Sequence, residues 1–374
     1  MIKFIRQIIN TKISYIRNVS PDTLPVLLIW VYDKCNLKCK MCDQWKSNVV
    51  NRNETLISAK MCDQWKKIDS TKILSTKEWF SVLDAAKKLK TRIVSVTGGE
   101  ALLRNDIFEI LEGITKRGMT AHLCTNGTTL TQDNILNLAK SRLRSISVSL
   151  DSHAPENHNF LRGYDCFHDT VEGIQLLRKM IPDLKININF LLCRINYKQM
   201  CQMIDLGKQL GVNKISLAPI HQNLQHKDKP KNSFHDLFFY QSDIPDLNRQ
   251  ILKVMRYAKK KQMPISSVRF LKGITNFYTV APPYHNCYAG FICCAISPWG
   301  DVSPCVDMAS SVNIRNKPLD QIWTSNTFHL LRGKAQSCSR RCWDTTNAEL
   351  SIRCQLSGFL HEINNNVKDI MRYK

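Results

Sequence analysis

Between positions 26 and 218 short apolar runs alternate with amphipathic stretches, and each run stops at a polar or glycine-bearing segment. Val26-Leu27-Leu28-Ile29-Trp30-Val31-Tyr32 reads as a buried strand that runs into Asp33-Lys34-Cys35. Ser75 and Glu78 have the spacing of a capping box, and Trp79, Leu83 and Ala86 continue one helical face. Further strands are expected at 92–97, 119–124, 145–150, 185–193 and 214–218. Helices are expected between them at 107–117, 131–140, 167–180 and 197–210, with Gly118 and Gly211 in C-cap positions. Strand and helix units of this length pair as parallel strands through crossover helices. Six such units close only part of a barrel. Ligand groups in these folds sit at the C-terminal ends of the strands, which is where Cys35, Gly98, Asn126, Asp151 and Asn189 fall.

The flanking sequence behaves differently. Positions 1–16 mix apolar residues with Lys3, Arg6 and Lys12 and lack a cleavage-site pattern, so a short amphipathic leader helix packed on the body is expected. No run of 18 apolar residues marks a transmembrane span. Residues 221–235 are polar and basic and read as a linker or lid, with a helix at 248–260. From Cys287 onward the chain is rich in Cys, Pro, Gly and Trp. The expected division is a leader at 1–25, a barrel at 26–220, a linker and helical segment at 221–283, and a metal-organised region at 284–374.

Fifteen cysteines in a chain of 374 residues need no disulfide staples, and their clustering favours thiolate ligands in a reducing compartment, with the cytoplasm as the simplest location. The net charge of +22 attracts polyanions. The basic runs at 87–90, 227–231 and 259–261 carry no interleaved aromatics, so nucleic acid is not the favoured partner. Lys40-Met41-Cys42-Asp43-Gln44-Trp45-Lys46 recurs as Lys60-Met61-Cys62-Asp63-Gln64-Trp65-Lys66, which reads as a local tandem duplication. The second copy, with Cys62, lacks the two upstream cysteines of the first.

Cys35, Cys39 and Cys42 follow the first strand with C-x3-C-x2-C spacing. Three thiolates on one short loop suit a corner of a [4Fe–4S] cube. Zinc in a closed structural site would want a fourth protein ligand, and buried structural cysteines are the other reading. The loop resembles the signature of the radical S-adenosylmethionine superfamily, with Met41 in its apolar slot. That resemblance covers about 26–220 and implies a [4Fe–4S] cluster with S-adenosyl-L-methionine. It also implies reductive cleavage to a 5′-deoxyadenosyl radical and hydrogen abstraction from a substrate.

Other segments carry the resemblance further. Thr97-Gly98-Gly99-Glu100 resembles the motif that contacts the methionine amino group, although Ala101 stands where the family often has proline. Asn126 lies in a Thr-Asn-Gly segment like that near the adenosine, or forms an ordinary turn. Ser149 and Asp151 resemble the end of the fourth strand, pointing toward cofactor or substrate. His158 and Arg162-Gly163 match the stretch beyond it, where Arg162 would clamp a carboxylate or make a loop salt bridge. Asn187 and Asn189 share one strand face.

Cys287 and Cys305, spaced as C-x12-G-x4-C, resemble the opening of a SPASM or Twitch extension. With Cys338 and Cys342 they would hold one auxiliary [4Fe–4S] cluster; the full SPASM pattern has cysteines enough for two, and Cys293, Cys294 and Cys354 are ambiguous. The expected fold class is therefore α/β, a partial (β/α)6 TIM-like barrel with a small C-terminal iron-sulfur cluster region. A reductant such as flavodoxin or ferredoxin is implied. The substrate expected is an anionic small molecule or a peptide, oxidised or otherwise modified, with sugar-like compounds included. Two alternatives are an impaired iron–sulfur redox or binding protein and an RNA-modifying radical enzyme.

Overall fold

The computed structural model describes residues 2–42, 73–220, 235–279, 286–339 and 342–355. The repeated heptapeptide beyond Cys42, Cys62, the segment 221–234 and the Cys354 side chain lie outside the described residues.

Eight strands form one sheet in the order β6-β5-β4-β3-β2-β1-β7-β8, open between its ends among the described residues. β1 (Val26–Trp30), β2 (Ile93–Thr97), β3 (Thr120–Thr125), β4 (Ser145–Ser149), β5 (Lys185–Leu192) and β6 (Lys214–Pro219) pair in parallel. The crossovers carry α2 (Thr76–Lys88), α3 (Ile107–Lys116), α4 (Gln132–Lys140), α5 (Pro155–Arg162), α6 (Phe167–Met180) and α7 (Met200–Gln209), and α1 (Ile2–Arg17) precedes the barrel. The architecture is the expected partial α/β barrel.

Local signals act as the spacing predicts. Ser75 caps α2, its backbone N–H donating to Glu78 Oε2 at 2.8 Å while Glu78 N donates back to Ser75 Oγ. Thr131 caps α4. Gly118 and Gly211 take φ of +76° and +65°, the left-handed region that ends a helix cheaply only for glycine. α5 was not anticipated, although Pro155 opens it and left-handed Gly163 closes it. Its Glu-Asn-His-Asn run hides the apolar period.

Strand alternation gives this barrel its character. The apolar half, including Val94, Val96, Leu123, Ile186, Ile188, Ile215 and Leu217, is buried in the main core with the helices. The other half places Thr97, Cys124, Ser149, Asn189 and Ser216 on the wall of a cavity. Successive strand residues point to opposite faces, so one period of 2 builds both a dry outer core and a polar lumen.

The C-terminal region joins the same sheet. β7 (Cys293–Ile296) pairs in parallel with β1, and β8 (Val302–Ser303) returns antiparallel to it. β7 is only four residues long and buried on both faces, too short for a periodic signal. Beyond it lie α8 (Ile244–Lys260) and α9 (Val268–Thr279) on the β6 side, then α10 (Leu319–Thr324), α11 (Asn326–Gln336) and α12 (Ala348–Cys354). Residues 343–351 reach both sheet ends. Trp343 Nε1 donates to Phe270 O at 3.0 Å, and Ser267 N donates to Glu349 Oε1 at 3.0 Å. On the other side Cys293 Sγ donates to Asn347 Oδ1 at 3.3 Å, and Tyr288 N to Ser351 Oγ at 3.0 Å.

Candidate active site

A cavity of about 390 Å³ lies at the C-terminal ends of the strands. Cys35, Cys39, Cys42, Gly98, Gly99, Glu100, Asn126, Ser149, Asp151, Arg162 and Asn189, all singled out from sequence, line it. Cys124, Ser216, Asp344 and Thr345 line it as well and were not anticipated. Cys124 and Ser216 had a signal, since both sit on the polar face of an alternating strand. Asp344 and Thr345 had none, because long-range folding brings them there. Asn187, two residues before Asn189, is buried deeper in β5.

The cysteine loop is held by its neighbours. Gly99 N donates to Tyr32 O and Glu100 N to Lys34 O, each at 2.8 Å, so the end of β2 lies directly on the loop. A Cβ on Gly98 would stand 2.8 Å from Tyr32 O, and one on Gly99 would stand 2.3 Å from Lys34 O. Only glycine permits that approach. On the other flank Lys40 N donates to Leu161 O at 2.8 Å, and a Cβ on Gly163 would meet Lys38 O at 2.3 Å. Cys39 and Leu37 pack with Cys166, with Cys35, Met41 and Cys42 against them.

Glu100 is buried, and both of its oxygens are used. Leu102 N and Thr125 Oγ1 donate to Oε1 at 3.1 and 2.8 Å, and Asn126 N donates to Oε2 at 2.7 Å. Burial pushes its carboxyl up against these hydrogen bonds, which pull it down. Asn126 accepts from Thr128 N at 2.9 Å and donates to Asn36 Oδ1 at 2.9 Å, linking the turn after β3 to the cysteine loop.

Arg162 ties three parts together. Its Nη2 pairs with Asp151 Oδ2 at 2.6 Å, and its Nη1 lies 3.9 Å from Cys39 Sγ. Asp151 is fully buried and accepts from Leu191 N at 2.9 Å through its other oxygen. Burial pushes the Asp151 carboxyl up, and the guanidinium opposes that shift. Ser149, Asn189 and Ser216 stand in one register row across β4, β5 and β6.

His158 has the clearest titration signature. Asp151 N donates to its Nδ1 at 3.2 Å, which assigns the neutral ring's proton to Nε2, 3.6 Å from Cys166 Sγ. Burial, with Arg162 nearby, pushes its pKa down to about 3. The unfolded chain, with a histidine near 6.5, therefore takes up a proton that the folded chain refuses. Stability is expected to fall as pH drops from 6.5 toward 3. Buried His122, pushed down to about 4, contributes in the same window, so denaturant titrations there should become shallower, not flat, in His158→Gln, and an unchanged slope would refute the assignment.

The second cysteine set also assembles. Cys287 interacts electrostatically with Cys305, Cys338 and Cys342. Cys293 joins this group through Cys287 and Cys305, whereas Cys294 turns into the main core beside Arg332. Adjacent strand residues face opposite ways, which separates the two. Burial pushes the Cys287 thiol up to about 11 and raises Cys305 and Cys342 as well, with Asp307 and Asp344 adding to the shift. Cys338 lines a separate cavity of about 370 Å³ beside Leu331 and Lys334.

These donor sets fit iron–sulfur groups. They are soft and gathered, with Cys39 buried and Cys35, Cys42, Cys287, Cys305, Cys338 and Cys342 half-buried, and a coordinated metal supplies the positive charge that such thiols need to ionise. Among the described residues no three His, Cys, Asp or Glu side chains close on one point as ligands of a single ion would. A cube's ligands bind separate corners and stand wider apart.

An open parallel barrel with three cysteines at its mouth and a second cysteine cluster beside it defines an iron–sulfur protein built on the α/β-barrel plan. Residues 30–207 match the Radical SAM superfamily, and residues 287–344 match SPASM, an iron-sulfur cluster-binding domain. The chain belongs to the radical SAM superfamily and carries a SPASM extension. It is a radical SAM enzyme whose cofactors are a [4Fe–4S] cluster with S-adenosylmethionine and iron–sulfur in the SPASM region.

An AdoMet-dependent heme synthase of Methanosarcina barkeri is 26% identical over 330 residues, 84% of this chain and 86% of that protein. A probable GTP 3′,8-cyclase of Saccharolobus islandicus is 32% identical over 151 residues, 40% of this chain and 48% of that protein. Among solved structures, Streptococcus suis SuiB bound to S-adenosylmethionine superposes with TM-score 0.64 at 19% identity, over 88% of this chain and 71% of SuiB. Native anSMEcpe with bound AdoMet superposes with TM-score 0.59 at 17% identity, over 92% and 99%. The structural likenesses establish the shared fold.

Proposed function

We propose that this enzyme cleaves S-adenosylmethionine reductively and takes a hydrogen atom from a substrate seated in the barrel-mouth cavity. One observation carries the reading: a single cavity reaches from Cys35, Cys39 and Cys42 to Asp344 and Thr345, just beyond Cys342. A [4Fe–4S] cluster on the first three thiols, with S-adenosylmethionine, would supply one-electron cleavage and the 5′-deoxyadenosyl radical, given an electron from a flavodoxin- or ferredoxin-like reductant.

The chain's own residues do the positioning. Gly98 and Gly99 set the loop height, and Glu100 locks the β2 and β3 ends together. Asp151, held by Leu191 N, aims Arg162 at Cys39. Ser149, Asn189 and Ser216 offer hydroxyl and amide groups to cofactor or substrate, while the apolar layer behind them keeps bulk water from the strands.

The substrate reading is a peptide or sugar-like compound, oxidised or otherwise modified, with the charge of +22 favouring an anionic one. Similarity to the M. barkeri heme synthase across 84% of this chain supports a second reading, a heme precursor. An anaerobically reconstituted sample should be offered peptides, sugar phosphates and heme precursors, with 5′-deoxyadenosine read by mass spectrometry. Stimulation by one class selects it. Cluster formation and S-adenosylmethionine binding without 5′-deoxyadenosine in any arm would favour the binding-protein alternative.

The auxiliary set on Cys287, Cys305, Cys338 and Cys342 is proposed to carry electrons to or from the substrate. Cys305→Ala is then expected to retain part of the cofactor cleavage and lose product formation by about tenfold or more. Normal turnover in that variant would remove the role.

A further inference from the structure

Among the described side chains of helix α1, Gln7, Thr11 and Ser14 are buried, spaced by four and three residues, and Tyr15 is half-buried beside them. Gln7 Nε2 donates to Lys90 O at 3.3 Å, and Thr11 Oγ1 donates to Gln7 O at 2.9 Å. Tyr15 stacks on Tyr288 with ring centroids 4.4 Å apart and meets Phe291 edge-on at 5.1 Å. Gln336 Nε2 donates to Tyr15 O at 3.1 Å. The contacts of Gln7 with Lys90 and of Tyr15 with Tyr288, Phe291 and Gln336 fix the rotation of the helix.

With that rotation the three described isoleucines face outward. Ile9, Ile13 and Ile16 are 50%, 42% and 76% exposed, and Val19 just beyond the helix is 47% exposed. At about 100° per residue, Ile9, Ile13 and Ile16 make one stripe, with Lys12 and Arg17 on its opposite flanks. In sequence the first 17 residues hold Lys3, Arg6, Lys12 and Arg17 and no acidic residue. Contiguous apolar surface of this kind marks a place of contact, and a cation-flanked apolar stripe has the make-up of an interfacial helix.

We propose that α1 seats the protein on an anionic lipid surface, with Ile9, Ile13, Ile16 and Val19 in the headgroup boundary and the flanking cations against lipid phosphates and carboxylates. Charge decides the occupant. A second copy would set one cation-flanked stripe against another, whereas an anionic bilayer complements both the stripe and its flanks. Among the described residues no helix is long and apolar enough to cross a membrane, so the contact is peripheral. It is independent of the radical chemistry.

The test is flotation of the full-length reconstituted protein with phosphatidylcholine vesicles, with and without about 30% phosphatidylserine. The expected result is binding to the serine-lipid vesicles, weakened by high salt. The triple variant Ile9→Ser, Ile13→Ser, Ile16→Ser should lose about tenfold or more of that affinity, with iron content and melting temperature unchanged, because these side chains face solvent. Arg17→Glu should weaken binding at low salt, which keeps the proposal testable if the triple variant misfolds. No binding to serine-lipid vesicles, or binding unaltered by both variants, overturns it. Self-association of the wild type that the triple variant abolishes, without lipid binding, assigns the stripe to a second copy and also overturns it.

Discussion

Cys39→Ala is expected to strip iron from the barrel site and bring 5′-deoxyadenosine to background. Cys39 is the middle cysteine of the loop and the most enclosed, packed on Leu37 and Cys166 and followed by the Lys40 N–H bond to Leu161. Losing an outer partner of a metal ligand already costs about 10–100-fold in affinity or activity. Loss of the ligand itself should exceed that range. Cys166 is a fourth thiol against the same loop, but it sits beside His158 and outside the cavity lining. Cys166→Ala should therefore retain iron. Iron and sulfide analysis with electron paramagnetic resonance of the reduced proteins checks both. Full iron content and cofactor cleavage in Cys39→Ala would end the three-thiol assignment.

Arg162→Leu is expected to be the most destabilising change at the site, by about 3–5 kcal/mol, because it leaves Asp151 buried and unpaired. Burial then acts on that carboxyl against the Leu191 N–H bond without the guanidinium, so its folded-state pKa rises further. An acid raised on folding favours the folded state only while protonated. The variant should therefore lose stability as pH climbs above the unfolded value, about 3.9. Adding Asp151→Asn removes the charge and keeps an acceptor for Leu191 N, and should restore more than half of the loss. Anaerobic denaturant titration of the wild type, single and double variants gives the coupling. A cost below about 1 kcal/mol in Arg162→Leu would place the pair with exposed salt bridges, which contribute little.

The two experiments probe features of different origin. The three-thiol loop was legible because its meaning lies in spacing within eight residues, Cys35 to Cys42. The strands of the barrel and its crossover helices other than α5 were legible for the same reason, since period 2 and period 3.6 are local. Gly118 and Gly211 marked helix ends because the left-handed conformation is a property of one residue. The partners of Glu100 and Arg162 were not legible. Each choice depends on which loops stand beside each other at the barrel mouth. Spacing alone left Arg162 between a cofactor clamp and a salt bridge; the fold gives it Asp151 and Cys39.

The sequence by itself determined the alternation, the cysteine ligand types and the cation-rich isoleucine pattern of the first 17 residues. Tertiary structure alone decided that β7 extends the sheet at β1, that Cys293 and Cys294 part company, that Asp344 reaches the cavity, and that α1 turns Ile9, Ile13 and Ile16 outward. The physical reason is range. Backbone periodicity and ligand spacing are set by covalent neighbours, whereas burial, pairing and facing are set by contacts between residues that the chain keeps far apart until it folds.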